Sequence, residues 1–163
     1  MEKIPITRPG YEKLKKDLEH LKKVAVPENI RAIEDARGHG DISENAEYAA
    51  AKERQSFIQG RIQELENNLA MSKVIDINNL TDEKAVFGSI VTITDSETSE
   101  KTTYQLVGPL ESDLQQNKIS VTSPIGKALI GKETGDEVRV KTPGGMRALE
   151  IVDIRVDHGK QPA

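Results

Sequence analysis

The stretch Arg37-Gly-His-Gly-Asp-Ile-Ser-Glu-Asn-Ala-Glu-Tyr48 decides how the first half of this chain folds. Gly38-His39-Gly40 interrupts two helical patterns, and two glycines around one residue suit a tight reversal. Upstream, apolar residues recur at Tyr11, Leu14, Leu18, Leu21 and Ala25 in steps of three and four, and resume at Ile30, Ile33 and Ala36. Thr7 is placed to cap this helix, with Pro9 in its first turn. Pro27 removes one backbone donor, which predicts a kink or a restart there. Downstream, Ile58, Ile62, Leu65 and Leu69 form a second seam, with Lys, Glu, Gln and Arg on the other faces. Together these signs predict an antiparallel α-helical coiled-coil hairpin over residues 1–76, with its tip at 38–44. An arm of about 28 residues rising ~1.5 Å each reaches roughly 40 Å. Its distal part, Ile30 to Ala51, is rich in alanine and poor in large apolar residues. It is expected to project into solvent, with the two helices packing mainly on each other.

Beyond Asp76 the period changes. Gly88 to Asp95 alternates and is β-branched, as a strand should be. Ser96 to Lys101 is turn-like. Thr102–Val107, Lys118–Thr122, Glu137–Thr142 and Leu149–Ile154 read as further strands, and Pro124 to Gly131 as a short helix ended by glycine. The fold class is therefore α+β: the hairpin, a linker at 77–86, a small antiparallel-sheet domain over 87–156 and a tail at 157–163.

Composition narrows the function. Net charge is −4 and neither half is basic, which disfavours duplex binding driven by counterion release. Aromatics are 3% with no Trp, so a stacking platform for single-stranded bases is not expected. The absence of Cys excludes disulfides, thiolate metal sites and cysteine nucleophiles. No stretch approaches the ~18 apolar residues of a membrane span, so a soluble cytoplasmic protein with no membrane partner is expected.

Asp41 and Glu44 are the residues with most chemical promise. Their spacing of three places both on one side of the first turn of the second helix. One reading is structural: Asp41 and Glu44 have capping-box spacing, or Ser43 caps and leaves Asp41 in the loop, and acids are favoured at a helix N-terminus in any case. The other reading is a chelator. Two carboxylates make a weak private Mg²⁺ site, but beside a partner's metal they could hold a second ion for phosphodiester hydrolysis. Arg37 and Lys52 flank the tip, one on each helix at about equal distances along the arms, as phosphate contacts or as ordinary solvated charge. His39 is either exposed or a ligand, and Asn45, like Ser43, is a cap or a tip contact. Ser123, Pro124 and Ile125 sit at a strand end, where a Pro-Ile pair could dock on a partner or simply start a helix.

Several ordered motifs carry a resemblance. They are Thr7-x-x-Gly-Tyr-x-x-Leu14, Ala36 to Tyr48, Phe87-Gly-Ser-Ile-Val91, Tyr104-Gln-Leu-Val-Gly108, Ser123 to Lys132 and Gly135-Asp136. Over almost its whole length the chain resembles the bacterial Gre family of transcript cleavage factors. The resemblance implies an N-terminal coiled coil and an FKBP-like C-terminal domain. It implies that Ser123, Pro124 and Ile125 touch the β′ subunit of RNA polymerase at the rim of the secondary channel. It further implies that Asp41 and Glu44, supported by Ser43, enter the polymerase active site and help hold a Mg²⁺ and a water, with no cofactor bound stably by the factor alone. Arg37 and Lys52 match the patch near the nascent RNA 3′ end, although lysine lacks an arginine's fork. The polymerase then cleaves its own backtracked transcript, and the factor is an accessory rather than an enzyme. The small patch and acidic pI fit the less basic of the family's types, which acts on shallow backtracks. Gly38 stands where relatives commonly carry a larger residue and is expected to loosen the turn. Rival readings are an inhibitory paralogue occupying the same channel, a peptidyl-prolyl isomerase on fold analogy alone, and a structural adaptor.

Overall fold

The structure, a computed structural model, describes residues 3–38, 45–77 and 81–156. It begins with strand β1, Ile4–Ile6, and then a helical arm: α1 (Arg8–His20), a π-helical turn (Leu21–Ala25) and α2 (Val26–Arg37). The returning arm is α3, Ala46–Met71, which leads into strand β2, Ser72–Val74. The described residues form two compact units, one of Tyr11–Met71 and the other built from the residues on either side of it.

Thr7 caps α1 as its sequence position predicts: the Gly10 amide donates to the Thr7 hydroxyl at 3.2 Å. The arm stays helical through Pro27, and a new α-helical segment, α2, starts there as the restart predicts. The π-turn just before it carries the helix through, with the Val26 amide donating to the Leu21 carbonyl five residues back, and the proline falls at the start of α2, where a missing amide costs little. The π-turn also changes which residues face inward. The seam runs Leu21, Ala25, Asn29, Ile33, three steps of four against the 3.6 residues of an α-turn. The extra residue per turn rotates Ile30 outward to 46% exposure and brings Asn29 in. Ile30 is therefore not a seam residue, contrary to its sequence phase. On the returning arm Ile58 and Leu65 are buried on the predicted stripe, with Ala51 nearer the tip.

In the other unit, β1 and β2 pair in parallel, Ile4 with Ser72 through Ile6 with Val74. Residues 3–10 and 72–76, read from the sequence as hairpin, thus group with the sheet domain. Glu111 fixes this arrangement. Its carboxylate accepts from the Thr7 amide at 2.7 Å and the Gly108 amide at 3.0 Å, and the Thr7 hydroxyl also donates to it. Gly108 passes so close to the Pro5 carbonyl oxygen that a Cβ would collide with it.

The domain is built on a five-stranded sheet of β3 (Ile90–Asp95), β4 (Lys101–Val107), β5 (Lys118–Ser120), β6 (Glu137–Thr142) and β7 (Gly145–Arg155), in the order β5-β4-β3-β7-β6. It is mixed rather than antiparallel, because β5 returns from a 3₁₀ turn to lie parallel to β4. Inward residues alternate: Val91, Ile93 and Asp95 on β3, Val138 and Val140 on β6. On β7 the alternation runs Leu149, Ile151, then Ile154. A register shift against Thr92 and Ile93 inserts Val152, and this bulge turns Ile154 back into the core. The short helix α4, Pro124–Leu129, covers the core with Leu129. Gly131, at φ +82°, ends the segment as its sequence position predicts. Its amide donates to the Ala85 carbonyl, and the Ala85 amide to Lys132, so fully buried Ala85 belongs to the domain rather than to a free linker. No helix among the described residues is long and apolar enough to cross a membrane.

Candidate functional site: the hairpin end and the α4 start

The tip acids Asp41 and Glu44, with His39, Gly40 and Ser43, lie outside the described residues. What the structure defines is the frame on both sides of them. On the far side of the tip the described helix α3 begins at Ala46. Its cap is Asn45: the side-chain oxygen accepts from the Glu47 amide at 2.9 Å and the Tyr48 amide at 3.2 Å. The same side chain donates from Nδ2 to the Ala36 carbonyl at 2.6 Å, in the last turn of α2. One residue thus satisfies orphan donors of one helix and an orphan acceptor of the other.

Gly38 closes the last turn of α2, and the turn it was expected to loosen lies outside the described residues. Gly38 itself is right-handed helical at φ −66°, ψ −14°, and its amide donates to Glu34 and Asp35 at 3.1 Å each. Arg37 spans the hairpin, its guanidinium carbon 5.9 Å from the centre of the Tyr48 ring. Further back, buried Asn29 donates to the Ala51 carbonyl at 3.0 Å. These cross-links set the register: Ala36 faces Asn45 and Asn29 faces Ala51. Lys52 therefore lies level with Asn29, about 10 Å along the arm from the Asn45 cross-link. Arg37 and Lys52 are not equidistant from the tip. Both are exposed, and Lys52 donates to Gln55 at 2.9 Å.

At the other candidate site, Ser123 is the cap of α4. Its hydroxyl accepts from the Gly126 amide at 3.1 Å and donates to the Ser120 carbonyl at 2.6 Å. Pro124 takes the first helical position and is exposed. Ile125 is half-buried and packs against the core. Of the three, Pro124 presents the free surface. Nearby is an apolar cavity of about 470 Å³ lined by Pro5, Ile75, Val86, Phe87, Val121, Lys127 and Ile130. Phe87 is its one aromatic residue.

Sequence reasoning recognised Asn45 as a cap or tip contact but missed its second bond. It missed Asn29 because the π-turn shifts the seam, and Glu111 because its partner Thr7 is 104 residues away. Among the described residues no group of three or more His, Cys, Asp or Glu could hold a metal.

Residues 4–74 match the family described as transcription elongation factor, N-terminal, and residues 80–156 match transcription elongation factor, GreA/GreB, C-term. The chain is similar to transcription elongation factor GreA of Syntrophus aciditrophicus, at 64% identity over 96% of this chain and 98% of that protein. It is 55% identical to transcription elongation factor GreA of Neisseria meningitidis over 95% and 99% of the two. Among solved structures, GreA factor homolog 1 of Thermus thermophilus matches at 29% identity and TM-score 0.43, covering 94% of this chain and 99% of that one. A helical hairpin followed by a small mixed-sheet domain is thus joined to family matches along nearly the whole sequence, and this chain belongs to the GreA/GreB family of transcription elongation factors.

Proposed function

We propose that the protein binds bacterial RNA polymerase and stimulates its cleavage of the 3′ end of backtracked nascent RNA. It is an accessory factor: the polymerase cuts, and the factor supplies groups. The full-length family match carries the class of activity, and the hairpin carries the reading of how it is delivered. The two arms are tied together at Asn29 and again at Asn45, which supports a stiff lever with the acidic tip residues beyond its described end. In this reading the tip enters the secondary channel, and Asp41 and Glu44, with Ser43 in support, offer hard oxygen donors to a Mg²⁺ shared with the polymerase. Two carboxylates suit that ion, which usually keeps waters and takes only one or two protein acids. A metal held there by Asp41 and Glu44 would supply polarisation of water and stabilisation of the leaving oxygen. Asn45 already caps the Glu47 and Tyr48 amides, which supports a role for the acids other than capping. Arg37, near the closing bond, is placed to meet the extruded RNA, and Lys52 contacts RNA only further from the 3′ end. Pro124 and its neighbours dock on the β′ subunit at the channel rim. A site of action on bacterial polymerase puts the protein in the cytoplasm.

The test is a purified polymerase halted in a backtracked state. Adding the protein with Mg²⁺ shortens the RNA from its 3′ end. Occupancy of the polymerase without shortening would instead identify an inhibitory paralogue.

A further inference from the structure

Among the described residues the outer side of β6 pairs with nothing. β6 is the last strand in the order β5-β4-β3-β7-β6, and two bonds settle which of its backbone groups face outward. The Ser96 amide donates to the Ala148 carbonyl at 2.9 Å, and the Ile151 amide to the Asp136 carbonyl at 2.9 Å. Residues along an antiparallel pair alternate between bonded and unbonded positions. The even-numbered residues of β7 therefore bond toward β3, and its odd-numbered ones bond to the even-numbered residues of β6. The backbone amides and carbonyls of Glu137, Arg139 and Lys141 point out of the sheet, and among the described residues they meet no partner. Their side chains share the exposed face, while Val138 and Val140 fill the core from the other.

Charge decides what such an edge accepts. Glu137 lies opposite Glu150 of β7 and Arg139 opposite Ala148. Among the described residues Glu137, Arg139 and Glu150 have no ion-pair partner. Like charges directly opposite destabilise a strand pair, so Glu137 lacks a cation and Arg139 an anion. A row of lysines would repel any added strand, whereas Glu137-Val-Arg139 complements itself when reversed. We infer that the outer edge of β6 is a self-association surface, occupied by β6 of a second copy running antiparallel about a two-fold axis at Val138. Glu137 then lies opposite Arg139 of the second copy, and Arg139 opposite its Glu137. These are residues whose backbone groups are free, so each pair also exchanges both ladder bonds. A register centred on Arg139 instead sets that residue opposite itself, against its own charge.

The inference is independent of the functional reading and needs no polymerase to test. Sedimentation equilibrium of the full chain, over a range of protein and salt concentrations, should show a monomer–dimer equilibrium that weakens as salt rises. Glu137→Arg and Arg139→Glu each set like charges opposite at both pairs, and each should raise the dissociation constant about tenfold. The double variant E137R/R139E restores both pairs with their roles exchanged, and should return the constant to within about threefold of the parent. Neither substitution touches the core, so melting temperatures should stay within about two degrees of the parent. Hydrogen exchange should show the Glu137 and Arg139 amides gaining protection as protein concentration rises. A chain that stays monomeric up to millimolar concentration would overturn the inference, as would a dimer that neither single reversal weakens. A double variant as weak as the singles would also overturn it, since in a register centred on Arg139 Glu137 faces Lys141 and the exchange restores nothing.

Discussion

Asp95 closes β3 at a position whose alternation points inward, and there it is met by three donors. The Glu97 and Thr98 amides bind one carboxylate oxygen and Arg147 the other, at 3.1 Å. The bonds from the Glu97 amide, Arg147 and the Thr98 amide hold the carboxyl below its usual range. A depressed folded pKa contributes stability that is present above the unfolded value of ~3.9 and is lost as pH falls through the folded value. Acid titration of unfolding should therefore show Asp95→Asn less stable than the parent near neutral pH, with the two curves converging at the acid end. Gly108 gives a second test at this scale. Its backbone runs against the Pro5 carbonyl, so Gly108→Ala should cost about 1–3 kcal/mol in denaturant melts. Neither role was legible beforehand, since Asp95 read as a strand end and Gly108 as part of a motif. Arg147 lies 52 residues from Asp95 and Pro5 far from Gly108, and no local pattern announces a carboxylate such as Glu111 that binds a residue 104 positions away.

At the scale of elements, local signals were read well where the backbone kept its period. β6 spans Glu137–Thr142 as predicted, Thr7 caps α1, and glycine ends the α4 segment. Reading failed where one residue was added to the period. The π-turn at Leu21–Ala25 put Asn29 where Ile30 was expected, and the β7 bulge at Val152 reset the strand's inward face. The pairing of β5 with β4 was misread for a related reason: three-residue strands carry no signal of direction. Asn29 illustrates a trade. A buried Asn in a helical seam fixes register at a cost in stability. Asn29→Leu should leave thermal stability equal or raised while lowering cleavage, because the arms lose the bond that pins their alignment. A variant both destabilised and fully active would contradict this role.

At the scale of the whole molecule, the proposed function divides labour between the end of the hairpin and the start of α4. Pro124 is exposed at a helical position that any residue can occupy, whereas Ser123 is committed to its cap. Pro124→Ala should therefore weaken polymerase binding, seen as a higher half-saturating factor concentration, without changing the melt, while Ser123→Ala should cost about 0.5–2 kcal/mol of stability. The two-unit plan was visible in the change from helical to strand periodicity, but the partner was not. Two acids near a glycine turn are as compatible with capping as with chelation, and only the ordered motifs along the chain pointed to polymerase. Among the described residues Asn45 caps α3. The most direct measurement is RNA shortening in a backtracked polymerase at saturating factor and varied Mg²⁺, comparing the parent with Asp41→Ala and Glu44→Ala. The account predicts that each variant still occupies the polymerase, competing with the parent protein, yet loses stimulated cleavage by at least about a hundredfold. Undiminished cleavage by both variants would contradict it.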